Sequence, residues 1–237
     1  MACCVITPYE PTVYNDLPSI RAAHTRFQIE LNENDMKAIG EVFVRHNMHE
    51  NFGITLMHRH LKLEPEERMV FVKEHEVPSS KHFPKPSAEM VQSVAMPSIL
   101  GENKVSSSTL KVNTDGSLTP YEFQESEDAT DDLAIPHSFT TELSNVLEEK
   151  NLADLIALSH MPSDKDSGED SLEYTLREKR MNVSVKIPKT DAVVEGLPAS
   201  WKFNIDSTRG IIMAKCRAYC EWNIDEHLDM HSYTSSP

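Results

Sequence analysis

Apolar residues recur at a helical period between residues 33 and 46, with Met36, Ile39, Val42, Phe43 and His46 on one face. Asn32 precedes them as a cap, Asp35 places a carboxylate at the third helical position, and Asn47 supplies a left-handed stop. This pattern predicts a helix that packs on a sheet. A second helix is predicted from a Ser138 cap, with Phe139, Leu143, Val146 and Leu147 sharing a face and Asn151 breaking it. Residues 152–159 read as a shorter helical piece.

Strands are marked by alternation with a period of two. Runs 53–63 and 68–75 alternate, and the intervening Glu64-Pro65-Glu66-Glu67 predicts an antiparallel hairpin. The first run is apolar on both faces, as in a central strand covered on both sides. Segments 107–112 and 117–124 flank Asn113-Thr114-Asp115-Gly116, a strong hairpin turn signal. Met181, Val183, Val185 and Ile187 alternate as a strand, and 200–206 with 210–222 form a closing pair. Residues 1–30, punctuated by Pro8, Pro11 and Pro18, read as an irregular arm, and 232–237 as a frayed tail. Loops are predicted over 78–104, along the acidic run Glu122 to Asp132, from Pro162 to Ser171 and from Pro188 to Pro198. Without a regular β-α-β alternation, the expected fold is one α+β domain over 1–237, with a mainly antiparallel sheet and two or more helices packed against it. The helical content and only seven glycines argue against a small barrel.

Charge narrows the partners. Thirty-eight acidic against 23 basic residues give a net charge of −15, which excludes a nucleic-acid backbone and an anionic membrane surface as partners. No stretch has the roughly 20 apolar residues of a membrane span, and the N-terminus lacks the pattern of a signal peptide. Four cysteines are too few for a secreted disulfide scaffold, so the expected location is the reducing cytoplasm.

The chemistry concentrates in His58 and His60. On a strand they share a face with Ile54 and Leu56 behind them, while Arg59 points away. A neutral imidazole both donates and accepts, so the pair suits proton transfer on a small organic molecule, as in an isomerase or lyase. Glu122 is the third catalytic candidate, and Glu173, Tyr121 and Trp201 are candidate substrate-binding residues. The alternative is two hydrogen-bonded strand histidines in a core.

Two constellations have metal-ligand character. His58, His60 and Glu64 combine imidazole and carboxylate, which suits a divalent ion such as Zn or Fe. Cys216, Cys220, His227 and His231 have the ligand types of a zinc site, with a central gap too short for a DNA-reading finger. Against that, Ile212, Ala214, Cys216, Ala218, Cys220 and Trp222 read as one buried strand face in which the cysteines pack as small apolar residues. Lys215, Arg217, Tyr219 and Glu221 then face solvent.

The spacing Gly53-x4-His58-x-His60-x3-Glu64 resembles the first metal-binding motif of the cupin family, which implies iron, manganese, zinc or nickel held by those residues inside a β-barrel. The glycine after the glutamate and the second cupin motif are missing. The run Gly53-Ile54-Thr55-Leu56-Met57-His58-Arg59-His60 is also similar to small uncharacterised proteins of filamentous fungi. Pro120-Tyr121-Glu122-Phe123, Trp201-Lys202-Phe203 and the Cys216/Cys220 segment extend that resemblance, which implies no activity. Three functions are therefore expected in competition: a small-molecule enzyme or binding protein, a metalloprotein, and an acidic protein that binds a basic partner.

Overall fold

The computed structural model describes residues 3–65, 67–73, 91–97, 105–125, 134–161, 169–176, 180–188, 196–206 and 211–221. Three helices, α1 (Pro11–Asn15), α2 (Ile20–Glu30) and α3 (Glu33–Arg45), precede β1 (Phe52–Leu56). Four strands follow: β2 (Glu67–Lys73), β3 (Val91–Pro97), β4 (Val105–Val112) and β5 (Leu118–Glu125). After α4 (His137–Glu149) come β6 (Ile156–His160), β7 (Glu169–Leu176), β8 (Met181–Pro188), β9 (Gly196–Asp206) and β10 (Ile211–Glu221).

The strands close into a barrel in the order β1-β6-β4-β5-β2-β3-β8-β7-β10-β9, with β9 pairing back onto β1. The expectation of an α+β architecture with helices against a sheet holds at that level. The argument against a barrel does not: closure satisfies every strand edge without a glycine-rich sequence. The sheet is also mixed, because β2 runs parallel to β5 and β7 parallel to β10, while the other neighbours are antiparallel.

The largest core lies outside the barrel. Ile39, Val42 and Phe43 of α3 and Phe139, Leu143 and Leu147 of α4 pack on outward residues of the strands, among them Ile54, Leu110, Leu158 and Phe203. Burying such a face gives roughly 1.5–3 kcal/mol per large side chain. A close approach is needed at Gly40, where a Cβ would stand 2.5 Å from Ile212 Cγ2 and 2.7 Å from Phe203 Cδ1. Both long helices end by one device. Asn47 and Asn151 take positive φ (56° and 58°), and the next amides, of Met48 and Leu152, reach back to Phe43 and Leu147 carbonyls. At the start of α3, Asn32 and Asp35 form a reciprocal capping box.

Several expectations fail. The 53–75 hairpin does not form, since β1 pairs with β6 and β9, and β2 with β3 and β5. Residues 156–160 are a strand, because apolar residues buried on both faces imitate helical spacing. Residues 20–30 form a helix where the prolines suggested an irregular arm; Ser19 caps it, accepting from the Ala22 amide. The helix predicted from Ser138 starts at His137, with Pro136 as an N-cap that lends no side-chain hydrogen bond. Within 78–104, residues 91–97 are β3, and the rest of that loop lies outside the described residues. The acidic run begins inside β5, so Glu122 is a strand residue facing inward rather than a solvated one. The remainder of the run, most of 162–171 and of 188–198, and the tail also fall outside the described residues.

Candidate metal centre

The positions of His58 and His60 follow from where β1 ends. Through β1 the even residues Ile54 and Leu56 join the outer core, and Thr55 lines the interior cavity. The strand stops at Leu56, so the histidines are not strand residues as expected. The Met57 amide donates to the Leu155 carbonyl, the Arg59 amide to the Pro18 carbonyl, and the His60 amide to the Tyr14 hydroxyl. Met57 packs in a small cluster with Tyr14, Leu17, Leu61, Met69 and Ala157 rather than in the outer core. The alternation breaks after Leu56, and His58 and His60 line the cavity, opposite to the side of Ile54 and Leu56. Arg59 stays exposed and binds the carbonyls of Asn15 and Leu17.

Both imidazoles are 6% exposed, and their ring centroids lie 4.7 Å apart. His58 Nδ1 is 2.8 Å from the Leu56 carbonyl oxygen. A carbonyl only accepts, so Nδ1 carries the proton and Nε2 presents a lone pair. That lone pair faces Cys220 Sγ at 3.3 Å. Cys220 Sγ in turn lies 3.4 Å from Glu173 Oε2, which is 3.4 Å from His60 Nε2. Glu173 and Cys220 stand opposite one another in the parallel register of β7 and β10, which brings the carboxylate and the sulfur together. The four donor atoms all lie within 4.8 Å of one another, so His58, His60, Glu173 and Cys220 form a buried group that can hold a metal ion.

An outer ring orients these groups. The Asn182 amide donates to Glu173 Oε2 at 3.0 Å, and Thr175 donates to Asn182 Oδ1 at 3.2 Å. His60 Nδ1 is buried without a partner. Burial governs the electrostatics. It lowers His58, and burial followed by the neighbouring His58 pushes His60 well below the usual histidine range. Burial raises the Glu173 carboxyl; burial and then Glu173 push the Cys220 thiol well up. Each shift disfavours the charged form of its group. A cation reverses that preference by giving the thiolate and the carboxylate a counter-charge.

The cluster borders a cavity of 150 Å³ inside the barrel. Glu122 also lines it, outside the four-donor group, and accepts from the Thr109 hydroxyl at 2.8 Å. Burial, and then Glu173, push the Glu122 carboxyl up to about 7.

The remaining candidates divide. Glu64 is exposed, outside the donor cluster, so the Glu64 part of the cupin-like arrangement is not formed. Tyr121 is buried with Tyr14 and Met69 rather than lining the cavity, and Trp201 stacks on Phe27 at 4.4 Å on the helix side. Cys216 does not reach Cys220's site: a bulge between Cys216 and Ala218 breaks the expected face, Ala214 is exposed and Tyr219 buried. His227 and His231 lie outside the described residues. Sequence reasoning missed the partnership of Cys220 with His58, together with Asn182, Thr109 and Tyr14. A signal existed in β7, where Leu172, Tyr174 and Leu176 alternate with Glu173 and Thr175, apolar outward and polar inward. Comparison with protein-family models, with curated proteins and with solved structures found no match.

Proposed function

We propose that this chain is a small-molecule-binding barrel whose pocket carries a divalent metal centre, with zinc the best-matched ion. The observation that carries this reading is the spacing of the donors. Tetrahedral zinc with bonds of about 2.0–2.3 Å places its ligands roughly 3.3–3.8 Å apart. The three contacts that link the four donors measure 3.3, 3.4 and 3.4 Å. A mixed imidazole, thiolate and carboxylate set suits zinc better than a hard cation. The Leu56 carbonyl on His58 Nδ1 and the Asn182 amide on Glu173 are the outer contacts that fix such ligands.

A metal-free proton-transfer site is the second reading, favoured by Glu122, which is close to half-ionised at neutrality and faces the cavity. The metal reading is preferred because both ring nitrogens of His58 are engaged, one by a carbonyl and one by the thiol.

Chelator-stripped protein is titrated with zinc against a colorimetric competitor, followed by elemental analysis after gel filtration. One tightly held ion per chain is expected, lost in a His58→Gln/His60→Gln double variant that remains folded. Uptake no greater than in that variant overturns the reading.

A further inference from the structure

The cavity beside the donor cluster has a chemical bias of its own. Its size, 150 Å³, is about that of a cavity that admits benzene, so it takes one compact ring or a molecule of similar bulk. One wall is apolar, with Met69, Phe71 and Phe123. The others carry hydroxyl and amide groups, including Thr55, Ser159 and Gln124. No lysine or arginine lines it among the described residues. The metal centre adds no net positive charge either, since a divalent ion is neutralised by the Cys220 thiolate and the Glu173 carboxylate. Glu122, which is not one of the four donors, presents a carboxyl group to the cavity, held at one oxygen by the Thr109 hydroxyl. An anionic ligand entering this space meets the Glu122 carboxyl and no fixed cation, His160 being the one basic side chain outside the donor cluster that lines it among the described residues, which is a costly arrangement in a low-dielectric interior. A ligand with an O–H or N–H group finds an acceptor.

We infer that the pocket binds a compact uncharged molecule, about one six-membered ring in size, through a hydroxyl or N–H donor directed at Glu122, and rejects carboxylates and phosphates. This inference rests on the metal-centre reading, because the neutral centre is what leaves the cavity without positive charge. It makes Glu122 the specificity-determining residue, a role separate from the four metal ligands.

Phenol and benzoate test it, since both carry one ring and differ in charge. Zinc-loaded protein is titrated calorimetrically with each at neutral pH. Phenol is expected to bind one per chain, with benzoate at least tenfold weaker. Glu122→Leu is expected to weaken phenol at least tenfold, the size of a charge-assisted hydrogen bond, and to keep zinc uptake at one ion per chain. Zinc uptake with benzoate as tight as phenol, or with no phenol binding, overturns the ligand inference alone. Phenol affinity unchanged in Glu122→Leu overturns the role of Glu122. Absence of zinc uptake overturns the metal reading, and the inference with it. The phenol–benzoate comparison uses the unaltered chain, so it decides the matter even if the variant fails to fold.

Discussion

The sulfur of Cys220 lies 3.3 Å from Nε2 of His58, although the two residues are 162 positions apart in the chain. Neither residue implies the other in the sequence. The barrel joins them by closing β9 onto β1 and placing β10 beside both β9 and β7.

Replacing Cys220 with serine tests the sulfur directly. Cobalt substituted for zinc reports a thiolate ligand by a near-ultraviolet charge-transfer band. The band is expected in the unaltered protein and absent in Cys220→Ser, with metal affinity reduced by about a hundredfold or more.

Metal affinity is expected to rise with pH. Burial and Glu173 push the Cys220 thiol well up, so the metal-free protein holds that proton at neutrality. Binding must expel it, and each expelled proton makes affinity about tenfold tighter per pH unit below the thiol's own titration. Competition titrations between about pH 6 and 8 give the slope. A flat profile, or one falling toward high pH, contradicts a thiolate ligand.

Glu122 sets a different pH dependence, read in metal-free protein. Its folded pKa of about 7 stands above the ordinary 4.5, so folding favours the protonated form. The stability this contributes is complete below 4.5 and is lost as pH rises to about 7. Glu122→Gln keeps an acceptor for Thr109 and carries no charge. Its unfolding free energy is expected to be flatter across that window and up to about 3 kcal/mol higher at pH 8. Denaturant titrations at a series of pH values measure this, and a variant less stable than the parent at alkaline pH refutes it.

Tyr14 is buried, and its hydroxyl accepts the His60 amide at 3.0 Å. Tyr14→Phe leaves that N–H unpaired at a cost of about 1–3 kcal/mol. Because the contact fixes where the histidine segment leaves the sheet, zinc affinity is expected to fall as well. Chemical denaturation with and without zinc separates the two effects, and a stability loss with zinc affinity intact limits Tyr14 to a structural role.

The sequence displays those parts of the fold that obey one local rule. Helix α3 is legible because its cap, its apolar period and its Asn47 stop agree. The β4–β5 hairpin is legible because Gly116 adopts the positive φ (77°) that its turn requires. The closing pair β9–β10 is legible as two successive strands, although the bulge between Cys216 and Ala218 breaks the alternation expected of the second. Legibility ends where tertiary contacts override the period. Strand β6 is apolar on both faces, since one meets the helices and the other the interior, so its alternation vanishes. The parallel pairs β2–β5 and β7–β10 leave no mark in any single segment.

The candidate site is legible in the same partial way. The pairing of His58 with His60 is visible as a spacing, and Glu173 stands out as a polar residue among apolar neighbours. Their shared direction, however, depends on a break in the alternation after Leu56 that is imposed by Pro18 and Tyr14, some forty residues upstream. The sequence-level expectation that the rings converge is met, for a reason other than the one the alternation supplied.

The opposition of Glu173 to Cys220 across a parallel strand pair has a consequence for how the protein is made. A nascent chain that has exposed α3, β1 and both histidines still lacks half of the donors, and β7 adds only the carboxylate. Ribosome-bound intermediates shorter than about 220 residues therefore lack the complete donor set, and an ion at the proposed centre would be loaded after the docking of β10 rather than guide the earlier steps of folding.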